Sequence, residues 1–307
     1  MAKKVTVFGS FVVDLMARTP HLPVPGETVK GSMFKMGPGG KGFNQGVAAH
    51  KAGATVSMIT KLGKDTFANV ALDAMKELNM DTSKVFITEK TETGSALILV
   101  DEKTSQNEIV VVLGACNTIS DEEVDSIADI VKDCEYLLTQ LETNTSAIER
   151  VIDIAYKNKV KVILNTAPIQ PISDDILGKV DLITPNEVEA EILTGICIDG
   201  EENAKKAAAW FFAKGVKNVL ITLGGRGVFI ATKEKQEIIP AYKVNAIDTT
   251  GAGDAFNGGL VAALAEGKDL WEAAKFANAL AAIAVQRLGT TPAMPTRVEI
   301  DEFIAKH

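Results

Sequence analysis

The sequence has few of the residues that crosslink small domains or bind metal ions. Its 307 residues include three cysteines and three histidines. The cysteines stand far apart without a Cys-x-x-Cys pair, and no histidine has the spacing of a metal ligand. These scarcities argue against a disulfide framework, a zinc site and Ser-His or Cys-His triad chemistry. We expect the three thiols, Cys116, Cys134 and Cys197, to be buried and unreactive.

Positive charge is also scarce. The 32 Lys and Arg residues against 40 Asp and Glu leave a formal net charge of −8 at pH 7, whereas a nucleic-acid-binding surface needs a basic patch that neutralises phosphates. The first apolar run, Val5 to Phe8, is too short for a secretory signal, and no later run is long enough to span a membrane. We therefore expect a cytoplasmic protein that binds neither nucleic acid nor a membrane, and that holds any phosphate-bearing ligand with local groups.

Two common phosphate-binding motifs are missing. The sequence contains no GxxxxGK[ST] motif, and the turn after the first apolar run reads Gly9-Ser10-Phe11 and not GxGxxG. The first motif marks P-loop enzymes and the second marks dinucleotide-binding folds. A dinucleotide-dependent oxidoreductase is accordingly a weak alternative.

The sequence does contain an alternation of apolar, strand-like runs with amphipathic helical runs. The predicted strands are Val5 to Phe8, Val56 to Thr60, Tyr136 to Leu141, Val160 to Asn165, Leu182 to Thr184 and Val219 to Leu223. The predicted helices between them are Asp65 to Leu78, Ser146 to Lys157 and Glu201 to Lys214. This alternation is typical of βαβ units, so we predict an α/β fold with a central, largely parallel sheet flanked by helices.

Two regions interrupt the alternation with β-prone segments that have no helix between them. They are Glu27 to Met36 and Ser95 to Leu113, and the second has the pattern of a hairpin. We predict a small antiparallel β-sheet lid, formed by segments near residues 12–36 and 95–113. Because no long Pro-, Gly- or Ser-rich linker divides the sequence, we expect residues 1–307 to form a single domain.

The sharpest local signal is the segment Asp248-Thr-Thr-Gly251-Ala-Gly253-Asp254, which opens an alanine-rich stretch that predicts two packed helices. Glycines allow backbone geometries that larger residues resist, and successive amides at a helix N-terminus form a cradle for an anion. A carboxylate directly after the cradle, Asp254, is placed to take a proton from a substrate hydroxyl beside a transferring phosphate. On spacing alone, an ordinary acid in the first turn of a helix explains the same residues.

A second Gly-rich segment runs from Gly37 to Gln45 and precedes a helical run to His50. Its glycines would bring the backbone close to a small ligand, and Lys41 and Asn44 offer donors to hydroxyl groups. A Gly-rich turn that begins a helix is the alternative.

Four separated motifs, which include both of these segments, occur in one order along the chain. They are Gly39-Gly40-Lys41-Gly42-x-Asn44-Gln45, Thr184-Pro-Asn186-Glu-x-Glu189, Thr222-Leu-Gly-Gly-x-Gly227 and Asp248-Thr-Thr-Gly-Ala-Gly-Asp254. Through them the chain resembles the ribokinase-like carbohydrate kinase family, from Val5 to about Pro295. The resemblance implies an α/β domain with a β-sheet lid over the sugar. It also implies ATP-dependent phosphorylation of D-ribose at O5, giving D-ribose 5-phosphate and ADP, with Asp254 as general base.

The resemblance also assigns roles to individual residues. The catalytic group would be Gly251, Ala252, Gly253 and Asp254. The sugar would contact Asp14, Gly40, Lys41, Asn44, Ala96, Ile98, Glu142 and Asp254. The nucleotide would contact Asn186, Glu189, Thr222, Gly224, Gly225, Gly227, Gly253 and Asn278. Plainer alternatives stay open for two of them, because Glu142 could be a helix-start acid and Asn278 a buried hydrogen-bonding residue.

Two ions and a partner are implied in the same way. Mg²⁺ would accompany ATP, and K⁺ would act as an activator; two subunits would associate through their lids as a homodimer. The K⁺ ligands would be the Asp248 carboxylate and backbone carbonyls of Thr250, Ala284, Arg287 and Gly289. The family usually has a hydroxyl ligand where this chain has Ala293, so we expect K⁺ activation to survive in a weaker or less selective form.

A second departure from the family concerns the substrate. Val12 stands two positions before Asp14, where asparagine is common in the family, so one sugar contact is lost. Deoxyribose, fructose, another small sugar or a nucleoside therefore stay open as alternatives. A sugar-binding regulatory protein without turnover is an alternative from a different class, although the intact Asp254 and its glycines argue against it.

Overall fold

The larger of two β-sheets forms the centre of the protein, whose computed structural model describes residues 3–104 and 106–307. The strands in chain order are β1 (Lys4–Phe8), β2 (Val12–Thr19), β3 (Met33–Gly39), β4 (Thr55–Gly63), β5 (Val85–Thr88), β6 (Thr93–Asp101), β7 (Asn107–Gly114), β8 (Tyr136–Gln140), β9 (Lys161–Asn165), β10 (Leu182–Ile183), β11 (Asn218–Thr222), β12 (Val228–Ala231) and β13 (Gln236–Ile239). Nine of these form the main sheet in the order β13-β12-β11-β10-β9-β8-β1-β4-β5. Seven of them, from β11 to β5, pair in parallel, and only β12 runs antiparallel to its two neighbours.

Helices connect the parallel strands and complete the C-terminal part. They are α1 (Lys41–Lys51), α2 (Thr66–Glu77), α3 (Asp121–Ser126), α4 (Ala128–Lys132), α5 (Thr145–Lys157), α6 (Asp174–Leu177), α7 (Glu187–Thr194), α8 (Glu201–Ala213), α9 (Ala252–Ala265), α10 (Leu270–Ala284) and α11 (Arg297–Lys306). Three short 3₁₀ turns lie at Ala115–Thr118, Gly224–Arg226 and Thr291–Ala293. In the ranges that the structure describes, none of the helices combines the length and the apolar character that crossing a bilayer demands.

Helices cover both faces of the main sheet. One cluster of buried apolar side chains joins the sheet to α1, α9 and α10, through residues such as Val47, Leu260 and Leu280. A second cluster joins the opposite face to α5 and α8, through residues such as Ile148 and Phe211. Strands buried on both faces need apolar side chains on both faces, which explains the near-continuous Val, Ile and Leu runs of the central strands. The predicted α/β fold is confirmed.

The smaller sheet is the lid, with strand order β3-β2-β6-β7. Its outer pairs are antiparallel, but its central pair, β2 and β6, is parallel, so the expectation of a wholly antiparallel lid was wrong. β2 continues from the carboxyl end of β1, while β6 begins beside the carboxyl end of β4, where the Gly63 amide donates to the Thr93 hydroxyl over 2.9 Å. Because both strands leave the same edge of the main sheet, they run in the same direction.

The predicted elements mostly appear where they were expected. All six predicted strands and all three predicted helices are present, and the alanine-rich stretch forms α9 and α10. The segment Glu27 to Met36 was only partly right, since residues 27–32 form no strand and β3 begins at Met33. Residues 95–113 form a hairpin, with Ser105 at its tip outside the described residues.

The cysteines divide into two groups. Cys116 and Cys134 are buried, as expected, but Cys197 is exposed. Cys197 follows Gly195, which ends α7 in the left-handed conformation, and so lies in a surface loop. The expectation of three buried thiols was therefore wrong for one of them.

Candidate active site

The candidate site lies at the carboxyl edge of the main sheet. Polar residues end or follow four neighbouring strands there: Gln140, Asn165, Thr184 and Thr222. A cavity of ≈ 190 Å³ opens at this edge. Its lining residues are Lys41, Asn165, Ala167, Thr184, Asn186, Glu189, Thr222, Thr249, Gly251, Ala252, Gly253, Asp254 and Asn257. Open α/β sheets typically bind ligands outside the carboxyl ends of their strands.

Helix α9 begins in the cavity wall. Gly251 precedes it with φ of 75°, in the left-handed region that favours glycine, and no side chain of the described residues caps the helix. A Cβ built on Gly253 would meet no other described atom within 4 Å, so its backbone faces open space. An uncapped helix N-terminus with its amides directed at a cavity is an anion-binding arrangement. Gly251, Ala252 and Gly253, for which the sequence predicted an anion cradle, all line the cavity.

Asp254 lies in the first turn of α9 and is buried. Asn44 donates to its Oδ2 over 3.0 Å and Gln45 donates to its Oδ1 over 2.9 Å. Burial raises the pKa of the carboxyl group, while the positive charge of Lys41 and the two amide donors oppose that rise. The carboxylate is therefore fixed in orientation at the cavity wall, and donors replace part of the lost water.

Lys41 and Glu142 are two charged residues whose charges interact with this base. Glu142 is buried after β8, and its Oε2 accepts from the Lys41 backbone amide over 2.8 Å and from the Ser10 hydroxyl over 2.5 Å. Burial raises the pKa of Glu142 against the charge of Lys41. Burial alone would lower the pKa of the Lys41 ammonium, but the charges of Asp254, Glu142 and Glu189 outweigh it and raise that pKa. Glu142 thus sits at the start of α1 and not at the start of α5, the helix that follows it in sequence.

Asp14 belongs to the lid and extends the acidic group. It lies on β2, directly opposite Ala96 of β6 in the parallel register, and Ile98 lies two residues further along the same face. Its pKa is raised to about 6 by burial first and then by the negative charges of Glu142 and Asp254. Asp14 is therefore close enough to the base and to Glu142 for their charges to interact.

Gly40 fixes the entry to α1. Its φ is 90°, and a Cβ there would stand 2.8 Å from the Val12 backbone nitrogen. Only glycine combines this backbone conformation with such a close approach. The Gly-rich turn consequently brings α1 against the start of the lid, and carries Lys41 and Asn44 to the cavity.

The far end of the cavity is organised by Asn186 and Glu189. They form a capping box at the start of α7, in which the Asn186 backbone and side-chain amides donate to the Glu189 carboxylate over 3.0 and 2.9 Å. Thr166 donates to the same carboxylate over 2.8 Å. Within the described residues, no three or more His, Cys, Asp or Glu side chains form a group that could hold a metal ion. Both oxygens of the Glu189 carboxylate therefore accept hydrogen bonds from the protein.

Thr222 reaches the same end from β11, because its backbone amide donates to the Pro185 carbonyl over 2.9 Å. The glycines after it form the turn Gly224–Arg226, and Gly227 has φ of 105°. Gly224, Gly225 and Gly227 do not line the cavity, nor does Asn278 of α10, whose amide donates to the Pro240 carbonyl over 3.3 Å.

The residues predicted to bind K⁺ lie on two turns next to the cradle. The Asp248 carboxylate accepts from the Thr250 amide and the Gly289 amide, each over 2.9 Å. The Val285 carbonyl accepts from the Asp248 amide over 3.1 Å. The segment that contains Ala284, Arg287 and Gly289 is in this way tied to the segment that contains Asp248 and Thr250.

Several residues of the site were not predicted. Asn165, Ala167, Thr184, Thr249 and Asn257 line the cavity, and Gln45 contacts the base. A signal for some of them existed, because a polar residue at the end of an otherwise apolar buried strand faces the ligand edge of a parallel sheet. Asn165 and Thr184 fit that rule. Asn257 carries no comparable sequence signal.

The comparisons with known proteins agree with this geometry. The α/β fold with its lid is ribokinase-like, and an uncapped helix start beside a buried carboxylate suits the binding of a phosphate group. Residues 2–297 match the pfkB family of carbohydrate kinases. The chain belongs to that family.

Two relatives and one solved structure show how close the likeness is. The chain is 44% identical over 304 residues to a ribokinase of Haemophilus influenzae, covering 99% of both sequences. It is 35% identical over 302 residues to a deoxyribokinase of Salmonella typhi, covering 98% of both. A structure of Arabidopsis thaliana ribokinase complexed with ribose and ATP matches with a TM-score of 0.91 and 30% identity, covering 99% of both chains.

Proposed function

We propose that this carbohydrate kinase transfers the γ-phosphoryl group of ATP to O5 of D-ribose, giving D-ribose 5-phosphate and ADP, with Asp254 as general base. One observation carries the proposal: Asp254 is a buried carboxylate, held by two amide donors, in the first turn of a helix whose uncapped N-terminus faces a cavity. Base and anion cradle thus come from one turn. The ribokinase relative at 44% identity supports ribose as the sugar, and the Arabidopsis thaliana ribokinase complexed with ribose and ATP supports ATP as the donor.

In the proposed mechanism the oxygen of the sugar hydroxyl attacks the γ-phosphorus of ATP, and ADP leaves. Asp254 accepts the proton of that hydroxyl. The backbone of Gly251, Ala252 and Gly253 offsets the negative charge on the transferring group, and Lys41 adds a positive charge at the cavity wall. Phosphoryl transfer depends mainly on positioning and electrostatics, so little other chemistry is required of the protein.

The sugar end is proposed to consist of hydrogen-bonding groups around a neutral polyol. Asp14, Glu142 and Asp254 are carboxylates close enough to interact through their charges, and each can accept from a hydroxyl group. Gly40, Lys41 and Asn44 would add backbone and side-chain contacts, and Ala96 and Ile98 would cover the sugar from the lid. This concentration of negative charge favours an unphosphorylated sugar over a sugar phosphate.

The nucleotide end is proposed to use Asn186, Glu189, Thr222 and Gly253, which line the cavity, together with Gly224, Gly225, Gly227 and Asn278, which lie outside it. The oxygen donors at this end fit Mg²⁺, which prefers oxygen ligands and keeps several waters. Mg²⁺ bound with ATP would neutralise phosphate charge that Lys41 alone cannot balance against Asp254, Glu142 and Glu189.

K⁺ is proposed to bind between the two turns joined by Asp248. One carboxylate and the backbone carbonyls of Thr250, Ala284, Arg287 and Gly289 are a donor set that suits a monovalent cation. Because these turns adjoin the cradle, the cation would order the start of α9. Turnover of Mg·ATP with added K⁺, in a buffer otherwise free of alkali-metal ions, should exceed turnover with tetramethylammonium at equal ionic strength; equal rates would contradict the assignment.

The proposed cytoplasmic form is a homodimer of single-domain subunits that associate through their lids. One face of the lid exposes Phe34, Met36, Leu97, Val110 and Val112. The strand register places all five on the same side of the sheet. An apolar face of this kind is typical of a protein–protein interface.

Deoxyribose is the second candidate sugar. The deoxyribokinase relative at 35% identity and the presence of Val12 favour it. Val12 itself is buried between Gly39 and Gly94 in the lid. A site for ribose has partners for the 2-hydroxyl group, and loss of that hydroxyl would leave them unpaired.

The test is a substrate panel with Asp254→Asn as the matched variant. Ribose, deoxyribose, fructose and adenosine are incubated with Mg·ATP, and phosphorylated products are measured by mass spectrometry. The proposal expects ribose to have the highest kcat/KM, and Asp254→Asn to lower kcat by at least about 10³-fold with the KM for ATP little changed. Near-normal kcat in Asp254→Asn would refute the base, and a higher kcat/KM for another sugar would refute the substrate.

A further inference from the structure

We propose that Gln45 is a positioning residue for the base, whose side-chain amide holds the Asp254 carboxylate in place and in its ionised form, and that Gln140 fixes the orientation of that amide. The inference rests on the proposed function, since it takes Asp254 as the base. Gln45 does not line the cavity but contacts the Asp254 carboxylate, so it would act only through Asp254.

The contacts of Gln45 use its whole amide group. Its Nε2 donates to Asp254 Oδ1 over 2.9 Å and to Asn165 Oδ1 over 3.0 Å. Its Oε1 accepts from Gln140 Nε2 over 2.7 Å. Gln45 is 0% exposed and Gln140 is 1% exposed. Water therefore does not compete for these bonds.

The orientations of the Asn165 and Gln45 amides follow from the partners at one end of this chain of hydrogen bonds. Asn165 Nδ2 donates to the backbone carbonyl of Thr184 over 2.9 Å. A carbonyl oxygen only accepts, so the oxygen of Asn165 must face Gln45. The nitrogen of Gln45 must then face both Asn165 and the Asp254 carboxylate, and its oxygen must face the donor of Gln140. A reversed Gln45 amide would oppose acceptor to acceptor at two contacts and donor to donor at the third.

This arrangement bears on the charge of the base. Asp254 faces the ammonium of Lys41 on α1, and also the carboxylates of Asp14 on β2 and Glu142 after β8. Burial disfavours the ionised form of Asp254, while the charge of Lys41 and the donors of Gln45 and Asn44 favour it. A neutral donor supports the anion without trapping its proton-accepting oxygen in an ion pair. Loss of the donor should therefore leave more of the base protonated at neutral pH.

The experiment measures kcat and kcat/KM for ribose against pH in the full-length enzyme. Gln45→Met removes the donor, Gln45→Glu replaces it with an acid of the same shape, and Gln140→Met removes only the group that orients Gln45. We expect the acidic limb of the profile to move to higher pH in all three, most in Gln45→Glu. At pH 6 we expect kcat to fall roughly tenfold or more in the Gln45 variants and to recover as the pH rises.

Thr139→Val is the matched control. Thr139 precedes Gln140 on β8, is equally buried, and its hydroxyl oxygen has no hydrogen-bond partner in the described part of the chain. Its pH profile should match that of the wild type. KM for ATP and circular dichroism spectra, measured for every variant, separate a loss of folded enzyme from a shift of the profile.

The possible outcomes separate two failures. If Asp254→Asn is inactive and the folded Gln45 variants keep the wild-type acidic limb, Gln45 serves core packing only and this inference is overturned. If Gln140→Met matches the wild type while the Gln45 variants shift, the role assigned to Gln140 is overturned. If Asp254→Asn keeps near-normal kcat, the base assignment fails first, and the inference fails with it.

Discussion

Four carboxylates and one ammonium group crowd the proposed site. Asp14, Glu142, Asp254 and Glu189 all interact with Lys41 or with each other. Such crowding opposes ionisation of the carboxyl groups, because buried like charges repel each other and water is partly excluded. The residues that suit binding and proton transfer should therefore lower the stability of the protein without its substrates.

Asp14→Asn should reveal this conflict through the pH dependence of stability. The pKa of Asp14 is raised to about 6 in the folded protein from 3.8, so between these values the native state binds more protons than the unfolded state. Its contribution to stability therefore falls as the pH rises from 4 to above 6. Asp14→Asn should remove a penalty on the order of 2 kcal/mol at pH 7.5, and raise the Tm by roughly 3–6 °C.

Scanning calorimetry at pH 4 and pH 7.5 provides the measurement. The gain in Tm should be much smaller at pH 4, where Asp14 is protonated in the native state. Asp73→Asn, on the exposed face of α2, is the control and should change little at either pH. A gain that is the same at both pH values would show that ionisation of Asp14 is not its cause.

At the residue scale the sequence predicted the base more easily than its supports. Asp254 follows a glycine pair at a helix start, and that signal lies within seven consecutive residues. Gln45 stood inside a recognised motif, but its role depends on Gln140, 95 positions away, and on Asp254, 209 positions away. Local spacing cannot report such contacts, because they exist only once the strands and helices have packed.

At the element scale, two glycines after β11 differ in backbone conformation and in the space around them. Gly227 has φ of 105°, and a Cβ there would overlap the Ile239 carbonyl oxygen of β13. Gly225 has no such conformation, and a Cβ there would meet no described atom within 4 Å. Gly227 is needed for the turn into β12, whereas Gly225 adjoins open space that a ligand can occupy.

Substitution with alanine should separate these roles. Gly227→Ala should destabilise the protein by about 3 kcal/mol or more, through strain and overlap with the backbone. Gly225→Ala should change stability by less than about 0.5 kcal/mol, and should raise the KM for ATP if the turn contacts the nucleotide. Urea unfolding measures the first effect and steady-state kinetics the second. Equal stability of the two variants would contradict the described turn.

The elements themselves were predicted unequally. Buried parallel strands such as β1 and β8 can be recognised in the sequence as apolar runs, because both their faces are covered. The short strands β12 and β13 and the parallel pairing of β2 with β6 were not predicted. Strand direction in the lid is set by where the chain leaves the main sheet, which sequence periodicity does not encode.

At the scale of the whole molecule, the apolar face of the lid makes assembly testable. Val110 lies opposite Leu97 on that face, and their side chains are 59% and 52% exposed. Val110→Asp should weaken lid-to-lid association, because the charge would lose its water in the interface. Light scattering after size exclusion should give the mass of one chain, 32.6 kDa, for the variant and twice that for the wild type.

Val298→Asp is the matched control for that experiment. Val298 is 65% exposed on α11, away from the lid strands, and its substitution should leave the mass unchanged. A wild-type protein that has the mass of one chain, or a Val110→Asp variant that keeps the double mass, would contradict the proposed dimer.

The separation of Asp14 from Asp254 has a consequence for how such enzymes diversify. Asp14 and Ala96 belong to the lid strands β2 and β6, whereas the proposed base and cradle belong to α9, on the other side of the site. In the proposed mechanism, part of the sugar site thus lies on lid strands that contribute nothing to the proposed base or cradle. Exchange of a few lid residues could redirect the enzyme to another acceptor while the phosphoryl-transfer machinery is inherited unchanged.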